Sequence, residues 1–365
     1  MLGTGERVVN EELGLPVTLK ELAARARVHP STISRVANHD PNLRIATPTR
    51  LRIEALLRET EYQPNGVARG LKLRQTLVLA VVIPDITNPF FAALFRGVED
   101  GASPHGYNVL LCNTDGSPER QRSHLQSLHA RQVDGVILAS SFLKDPAVRW
   151  LRQQRIPYVL VNRYSDQAHD PFVGSDDVVG ARLATAHLAA LGHERIGHLA
   201  GKATVSTGVL RRRGYLAALS ERGLSTDPRL VIESGYTEEG GARAAQRLLS
   251  LDDRPTAIFA VTDMTAVGAF GAARRMGLRI PQDVAIVGYN DIPLASRMVP
   301  GLTTVHVPIH DFGSAAARLL LEQVETGEPS RRRVIFNPEL IVRGSTAAGA
   351  GDEPQLPTAI GAKLR

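Results

Sequence analysis

A cluster of small polar and cationic side chains near the amino terminus has the composition of a DNA-reading surface. The segment VTLKELAARARVHPSTISRVAN (17–38) carries Thr32, Ser34, Arg35 and Asn38 close together. A guanidinium can form a bidentate contact with the O6 and N7 atoms of guanine, and hydroxyl and amide groups suit phosphate oxygens. These residue types indicate recognition of nucleic acid, although their spacing alone leaves a plain helical hairpin as the alternative.

A second set of polar and aromatic side chains follows apolar runs in the rest of the chain. Carboxylate, amide and guanidinium groups form hydrogen bonds with hydroxyls, and an aromatic face can stack on a sugar ring. The set predicts a cleft for a sugar-like molecule; the competing role for these side chains is to hold loops and helix ends together, and Asp263 could simply cap a helix. The predicted members are Asp85, Asn88, Phe90, Asn162, Arg163, Arg211, Tyr236, Thr262, Asp263 and Asn290.

Short helices must position the first set. Apolar residues recur at the 3.6-residue period of a helix over 18–26 and again over 30–37. Thr18 can cap the first of these helices, with Glu21 completing a capping box. The stretch 17–62 is therefore predicted to be a compact all-α helix-turn-helix head, whose second helix can enter a major groove.

An alternation of short strands and helices from residue 76 onward must position the second set. Near-continuous apolar strands between amphipathic helices indicate parallel sheets that are covered on both faces. This many strands exceed one ordinary doubly wound sheet, so two such halves are predicted, with the ligand at the carboxyl ends of the strands. The apolar runs are LVLAVVI (77–83), YNVLLC (107–112), DGVILA (134–139), PYVLV (157–161), RIGHLA (195–200), TAIFA (256–260) and DVAIVG (283–288).

Composition and charge limit the class of protein further. The chain has 365 residues, a net charge of +6 and a single cysteine, Cys112, which excludes an internal disulfide and a thiolate-rich metal site. Residues 17–74 hold 11 Lys and Arg against 5 Asp and Glu, so positive charge is concentrated in the head. No run is apolar for long enough to span a membrane, and the amino terminus has no apolar signal core. We therefore expect a cytoplasmic protein, nucleoid-associated when bound to DNA.

The head resembles that of the LacI–GalR family of bacterial regulators, whose usual form reads VTIxDVAxxAGVSxSTVSRVLN. The segment EYQPNGVARGLK (61–72) is similar to the family's hinge, GYxPNxxARxL. The resemblance implies that the hinge becomes a helix on operator DNA and that Leu71 wedges into the minor groove, which kinks the duplex; an ordinary linker leucine is the alternative. The expected DNA contacts are Thr18, Pro30, Ser31, Thr32, Ser34, Arg35, Asn38, Asn65, Val67, Ala68 and Leu71.

The body resembles the same family as far as about residue 346. Long ordered matches carry this resemblance, such as IPDITNPFFAALFRGVEDGASPHGYNVLLCNTD (83–115), and Arg211 stands where the family has its cleft arginine in an RxxGY pattern. The implied fold class is α+β multidomain: an all-α headpiece plus a periplasmic-binding-protein-like body of two α/β Rossmann-like subdomains. The expected limits are a disordered leader over 1–16, the head over 17–62, a hinge over 63–75, the effector-binding body over 76–346 (N-subdomain about 76–175 plus 305–335, C-subdomain about 176–304 plus 336–346) and a disordered tail over 347–365.

Two positions of the head depart from the family pattern. Arg27 stands where the family usually has Gly or Asn, residues that tolerate a left-handed backbone. His29 replaces the serine that caps the recognition helix, while Pro30 favours the first helical turn. Each departure is expected to cost about 1 kcal/mol.

Two positions of the predicted cleft depart as well. Thr262 stands where Asn is common, and Asn290 stands where Asp is common. The loss of a carboxylate should change which hydroxyl pattern or charge the cleft prefers. The sequence leaves open whether Arg163 and Arg211 select an acidic sugar or pair with Asp85.

The remaining motifs are weak. The spacing of His187, His193 and His198 fits neither one helix face nor a zinc signature, so a structural role is expected. The glycines of GAFGAA (268–273) lack the order of a dinucleotide-binding loop and predict close helix packing. Cys112 ends a buried strand, which favours a core position over a nucleophile.

Three classes of protein therefore compete. The first is a DNA-binding regulator with a sugar or sugar derivative as effector, which as a homodimer would match a two-fold operator. The second is a solute-binding protein of the sugar transport type, disfavoured by the basic head. The third is an α/β enzyme, disfavoured because no catalytic constellation appears. The resemblance implies the first class, with repression as the usual output and with no cofactor, metal or membrane partner.

Overall fold

A computed structural model describes the chain in segments, and its contacts divide the chain into two units. We call the unit through Thr76 the head and the unit from Leu77 onward the body. The predicted leader, most of the predicted hinge and the predicted tail lie outside the described residues. The described residues are 17–37, 40, 43–60, 62, 75–166 and 169–346.

The described part of the head contains three helices around one small core. Leu22, Ala26, Ile33, Val36 and Ile53 are buried in this core. The first two helices confirm the predicted spans to within one residue. The helices are α1 (Leu19–Ala26), α2 (Pro30–Ala37) and α3 (Thr47–Glu59).

The body alternates strands and helices, as its apolar runs predict. Its strands in chain order are β1 (Val78–Ile83), β2 (Asn108–Asn113), β3 (Gly135–Leu138), β4 (Tyr158–Val161), β5 (Phe172–Ser175), β6 (Ile196–Ala200), β7 (Val231–Glu233), β8 (Ala257–Ala260), β9 (Ala285–Asn290), β10 (Thr303–His306), β11 (Arg333–Phe336) and β12 (Glu339–Ile341). Its helices are α4 (Pro89–Ala102), α5 (Pro118–Ala130), α6 (Pro146–Gln153), α7 (Asp177–Ala190), α8 (Ser206–Glu221), α9 (Glu238–Leu249), α10 (Asp263–Arg275) and α11 (Ile309–Thr326).

The strands form two six-stranded sheets, each the centre of one subdomain. The N-sheet has the order β11-β5-β4-β3-β1-β2 and is parallel throughout. The C-sheet has the order β12-β10-β9-β8-β6-β7, in which only β12 pairs antiparallel. The chain crosses between the subdomains after β5, after β10 and after β11. This is the expected fold class, with two Rossmann-like halves joined by crossovers.

The seven predicted strands are all present, and five further strands were not predicted. Among these, β7, β11 and β12 lie at sheet edges and are half exposed, so they lack an apolar run. The other two, β5 and β10, are short and include Gly, Ser or Thr residues. These five strands were therefore not predicted because, at a sheet edge or over a short length, a strand has too few consecutive apolar residues to be recognised.

Close helix packing explains the glycines of GAFGAA. A Cβ atom at Gly268 would collide with the carbonyl oxygen of Glu238, because α9 and α10 pack against each other at this point. The predicted packing role is confirmed. Within the described part of the chain, no helix combines the length and the apolar character needed to cross a membrane.

Candidate functional site

The recognition helix α2 has one buried and one accessible face. Ile33 and Val36 are buried against the rest of the head, whereas Ser31 and Arg35 are exposed and Thr32 and Ser34 are partly accessible. The 3.6-residue period therefore places the polar residues on one surface of the helix. The structure brings together the expected DNA contacts of this helix, and Pro30 is its first residue.

The turn between α1 and α2 is held by local hydrogen bonds. Thr18 and Glu21 form the predicted capping box, with the Thr18 amide 2.7 Å from a Glu21 carboxylate oxygen. Arg27 adopts the left-handed conformation at φ 52° that its position in the pattern implies. The ring Nδ1 of His29 accepts a hydrogen bond from the Ser31 amide at 3.3 Å. A histidine ring thus does here what the serine of the family pattern was expected to do.

Arg35 is held by an acidic neighbour. Its Nε donates to a carboxylate oxygen of Asp40 at 2.7 Å, and the Asp40 amide donates to the Arg35 carbonyl at 3.0 Å. The Arg35 side chain is 43% exposed. Because the hydrogen bond uses Nε, the two terminal nitrogens of the guanidinium keep a fork of donors for an outside acceptor.

Five expected DNA contacts cannot be placed. They lie outside the described residues and are Asn38, Asn65, Val67, Ala68 and Leu71.

The body contains a cavity of about 510 Å³ that both subdomains line. Residues after β1 and β4 contribute one wall, and residues after β6, β7, β8 and β9 contribute the other. Two hydrogen bonds join the subdomains beside it: the Leu143 amide donates to the Thr204 carbonyl at 2.9 Å, and the Tyr164 amide donates to the Ser206 hydroxyl at 3.0 Å. The lining includes the predicted Asp85, Asn88, Phe90, Asn162, Arg163, Arg211, Tyr236, Thr262 and Asn290.

Two lining residues carry buried polar atoms that have no partner among the described residues. They are Nε of Arg163 and Oδ1 of Asn290. As whole residues, Arg163 is 7% exposed and Asn290 is 5% exposed. The Arg163 guanidinium lies over the Tyr236 ring at 4.8 Å, and burial lowers its pKa. Asn290 has a φ of 112°, a conformation that costs free energy in residues other than glycine. Buried orphan groups and local strain are both typical of ligand sites.

Arg211 lines the same cavity but already has an acidic partner inside the fold. Its Nε donates to Asp177 Oδ1 at 2.8 Å and its Nη1 to the Val261 carbonyl at 2.7 Å. The guanidinium carbon lies 3.6 Å from the centre of the Tyr289 ring. The alternative in which Arg211 pairs with Asp85 is therefore wrong: its partner is Asp177, at the start of α7.

Several other lining residues shape the backbone. Asn88 caps α4 by accepting from the Phe90 amide at 3.0 Å, and Asp85 Oδ1 accepts from the Thr87 amide at 2.9 Å. Thr262 caps α10 by accepting from the Thr265 amide at 3.3 Å. Helix starts are frequent at this edge because each strand runs directly into a loop and a helix.

Asp263 does not line the cavity. Its residue is 1% exposed, its Oδ2 accepts from the Ile292 amide at 2.8 Å and its Oδ1 from the Thr304 hydroxyl at 2.5 Å. Burial raises the pKa of this carboxyl to about 7. The capping role is wrong, because Thr262 rather than Asp263 caps α10. Both oxygens of Asp263 bind groups inside the C-subdomain, which agrees with the competing role of holding a loop in place.

The sequence reasoning missed some of the lining. Thr207, in the first turn of α8, is 3.0 Å from the Tyr236 hydroxyl, and Lys202 and Arg243 also face the cavity. Thr207 and Lys202 follow β6, so the strand-end rule would have found them if it had been applied to that strand. Arg243 lies within α9 and carried no such signal.

The histidines have structural contacts. His187 and His193 hydrogen-bond to threonine hydroxyls, and His198 stacks against Tyr215 and Phe259 in the core. Burial lowers the pKa of His198 to about 4. No cluster of acidic, histidine and cysteine ligands suitable for a metal occurs in the described residues.

Comparisons with known proteins agree with this architecture. Residues 18–65 match the model of bacterial regulatory proteins of the lacI family, and residues 185–346 match that of a periplasmic binding protein-like domain. The ribose operon repressor of Halalkalibacterium halodurans is 37% identical over 92% of this chain and 99% of its own. The transcriptional repressor CytR of Escherichia coli is 34% identical over 91% of this chain and 96% of its own.

Solved structures give the same result at the level of the fold. A lac repressor dimer bound to operator and the anti-inducer ONPF superposes with a TM-score of 0.82 at 27% identity, over 92% of this chain and 100% of that one. A complex of the regulator CelR with cellobiose has a TM-score of 0.70 at 31% identity, over 90% and 99%.

Proposed function

Because this chain belongs to the LacI family of bacterial transcriptional regulators, we propose that it is a repressor whose operator affinity changes when a sugar-like effector binds in the cleft of its body. The observation that carries the proposal is the pair of unpartnered buried atoms, Arg163 Nε and Asn290 Oδ1, in a cavity lined by both subdomains. Buried polar groups without partners cost free energy, and a bound polar molecule would remove that cost.

In this proposal the head reads DNA through α2. Arg35 contacts a guanine with its terminal nitrogens while Asp40 holds Nε, and the helix start contacts phosphates. The hinge inserts Leu71 into the minor groove. The proposed DNA-contacting residues are Thr18, Pro30, Ser31, Thr32, Ser34, Arg35, Asn38, Asn65, Val67, Ala68 and Leu71.

A homodimer is the proposed working form. A two-fold protein matches a two-fold operator, and two heads spaced by a turn of DNA multiply a modest affinity per half-site. The lac repressor structure named above is a dimer on operator, which supports the same assembly here.

The proposed effector is a sugar or sugar derivative. Related proteins are named as ribose operon repressors, and one similar structure contains cellobiose. The hydroxyl groups of a sugar would form hydrogen bonds with the side chains of Asn88, Asn290 and Thr207. The Tyr236 ring would offer an apolar face for the sugar ring. The coupling is reciprocal: an effector that weakens operator binding must itself bind less tightly to the operator complex.

The experiment that tests DNA reading is a binding-site selection from random duplexes, followed by affinity measurements at several salt concentrations. Arg35→Gln should lower affinity for the selected site and relax base preference at one position of each half-site, a loss of about 1–3 kcal/mol. Arg25→Gln is the matched control, since it removes one exposed charge from α1 rather than from α2.

The outcome that would contradict the proposal is equally specific. If the full-length protein binds no DNA duplex even at low ionic strength, it is not a DNA-binding regulator. A solute-binding protein of the transport type would then be the better reading of the body. Unchanged base selectivity in the Arg35→Gln variant would remove Arg35 from the reading role while leaving the class of protein intact.

A further inference from the structure

We infer that the effector is a hydroxylated anion, such as a sugar acid or a sugar phosphate, whose charged group Arg163 binds. This inference rests on the proposed function, because it concerns the same cleft. The proposed function is satisfied by a neutral sugar, whereas this inference requires a negative charge on the ligand.

Among the described residues, Arg163 has no acidic partner. No carboxylate oxygen of the described residues lies within 4.0 Å of any of its nitrogens, although the residue is only 7% exposed. Buried cations are normally paired with an acid or fully hydrogen-bonded, because removing a charge from water is costly. Its charge-related contacts are the Tyr236 ring, whose centre lies 4.8 Å from the guanidinium carbon, and the like charge of Arg211. The N–H groups lie at the edge of the guanidinium plane, so stacking on a ring does not use them.

Arg211 lines the same cavity but differs from Arg163 in its partners. Arg211 has Asp177 at 2.8 Å, the Val261 carbonyl and the Tyr289 ring, so the fold itself neutralises and orients it. The chain thus supplies an acid to one cleft arginine and none to the other. An anionic ligand would supply the missing counter-charge at Arg163.

The described lining of the cavity carries more cationic than acidic side chains. Lys202 and Arg243 also line it, and within the described residues neither forms an ion pair. Of the lining acids, Asp115 is paired with Arg120, which leaves Asp85 as the one acid outside an ion pair in the described lining. Cations exceed acids in a partly enclosed space, which attracts anions.

Asn290 indicates that the ligand also carries a hydroxyl group. Oδ1 of Asn290 is a buried acceptor without a donor among the described residues. A bound hydroxyl group would donate to it, which a carboxylate or phosphate oxygen cannot do. One molecule that carries both a negative group and hydroxyls would therefore satisfy both orphan atoms.

The experiment compares acidic and neutral probes of one skeleton on the full-length protein at constant ionic strength. The probes are D-ribose, D-ribonate and D-ribose 5-phosphate, with D-glucose, D-gluconate and D-glucose 6-phosphate as a second series. We expect a rise in Tm with at least one acid and none with the matching neutral sugar at the same concentration. The carboxylate and phosphate arms tell the two sources of charge apart.

The variant Arg163→Gln should bind the responding acid about tenfold or more weakly, since a charge-assisted hydrogen bond is lost. Arg122→Gln is the control, because Arg122 is exposed on α5 and absent from the cavity lining. A neutral sugar that stabilises the protein as strongly as its acid, or an acid that binds the Arg163→Gln variant unchanged, would overturn the inference while leaving the proposed function standing.

A measurement without ligand completes the test. Because Arg163 lacks an acidic partner, Arg163→Met should leave the Tm of the ligand-free protein unchanged or raise it. A clear fall in Tm would show that Arg163 is a structural residue, and this would overturn the inference even if no probe of the two series binds. Failure of the proposed function would appear separately, as loss of DNA binding by the wild-type protein.

Discussion

Replacing Arg211 should destabilise the fold of the body rather than only abolish its response to the effector. Arg211→Met keeps most of the length of the side chain and removes the guanidinium from a site that is 2% exposed. Asp177, which is also buried, then loses its ion-pair partner, and the Val261 carbonyl loses a donor. A variant chosen only to test effector response at this position would therefore report on folding.

The magnitude follows from the contacts. Breaking a buried ion pair by removing one partner costs about 3–5 kcal/mol, because the remaining charge is left in a poor solvent. The lost stacking on Tyr289, where the guanidinium carbon is 3.6 Å from the ring centre, acts in the same direction. For a domain of this size each kcal/mol lowers Tm by about 2–4 °C, so the expected fall is roughly 6–20 °C.

The assay is a double-mutant cycle read by thermal unfolding of the full-length protein. Asp177→Leu alone should also destabilise, because it leaves Arg211 buried without its acid, whereas the double variant Arg211→Met with Asp177→Leu should regain a large part of the loss. Additive effects of the two changes, or an Arg211→Met variant with a wild-type Tm, would refute the claim that these groups are a structural pair.

Three further predictions concern other parts of the fold. Thr18→Ala removes the cap of α1 and should lower the stability of the head by about 0.5–2 kcal/mol. Hydrogen exchange should show this as faster exchange of the α1 amides, and unchanged exchange would show that the capping box does not stabilise α1. Gly268→Ala should destabilise the body because its Cβ meets the Glu238 carbonyl, whereas Gly271→Ala, where the nearest atom belongs to a flexible arginine, should be neutral or stabilise by up to about 1 kcal/mol; equal effects in Tm would contradict this. The raised pKa of Asp263, about 7, means that the folded protein holds a proton between pH ~4 and 7 that the unfolded chain has released. The stability from this group is therefore present at low pH and lost as pH rises through that window, by at most about 1.4 kcal/mol per unit, and Asp263→Asn should flatten the profile; parallel Tm curves would argue against it.

The local rules of helix formation predicted the head well. The capping box at Thr18, the left-handed Arg27 and the start of α2 at Pro30 all depend on interactions within a few residues. The capping box and the proline at the helix start can be predicted from the order of the side chains alone, whereas the conformation of Arg27 was expected from the resemblance to the family pattern. The cap that His29 provides was missed because a histidine ring is an uncommon cap, and its geometry depends on the rotamer.

The strand-end rule predicted which residues reach the cleft better than what they do there. It found Arg163, Tyr236 and Asn290 because loops after parallel strands gather at one edge of a sheet. It also gathered Asp263, whose carboxylate points back to Ile292 and Thr304. Whether a side chain after a strand faces the ligand or the protein depends on partners from distant segments, and no local pattern records them.

The two cleft arginines show how distant partners distinguish a residue that stabilises the fold from one that is open to a ligand. The sequence placed Arg163 and Arg211 in one category, and left open whether they select an acidic sugar or pair with Asp85. The fold gives Arg211 an acid from the start of α7, 34 residues away along the chain, and gives Arg163 none among the described residues. An arginine with a buried acidic partner already has its charge neutralised, so its replacement affects folding. An arginine without an acidic partner keeps its charge for a ligand in the cleft, so its replacement affects binding. The same reasoning separates Asp263, with both oxygens used, from Asn290, with an acceptor still open. Counting the unused donors and acceptors of each buried side chain is therefore a sharper guide to the effector than its position after a strand.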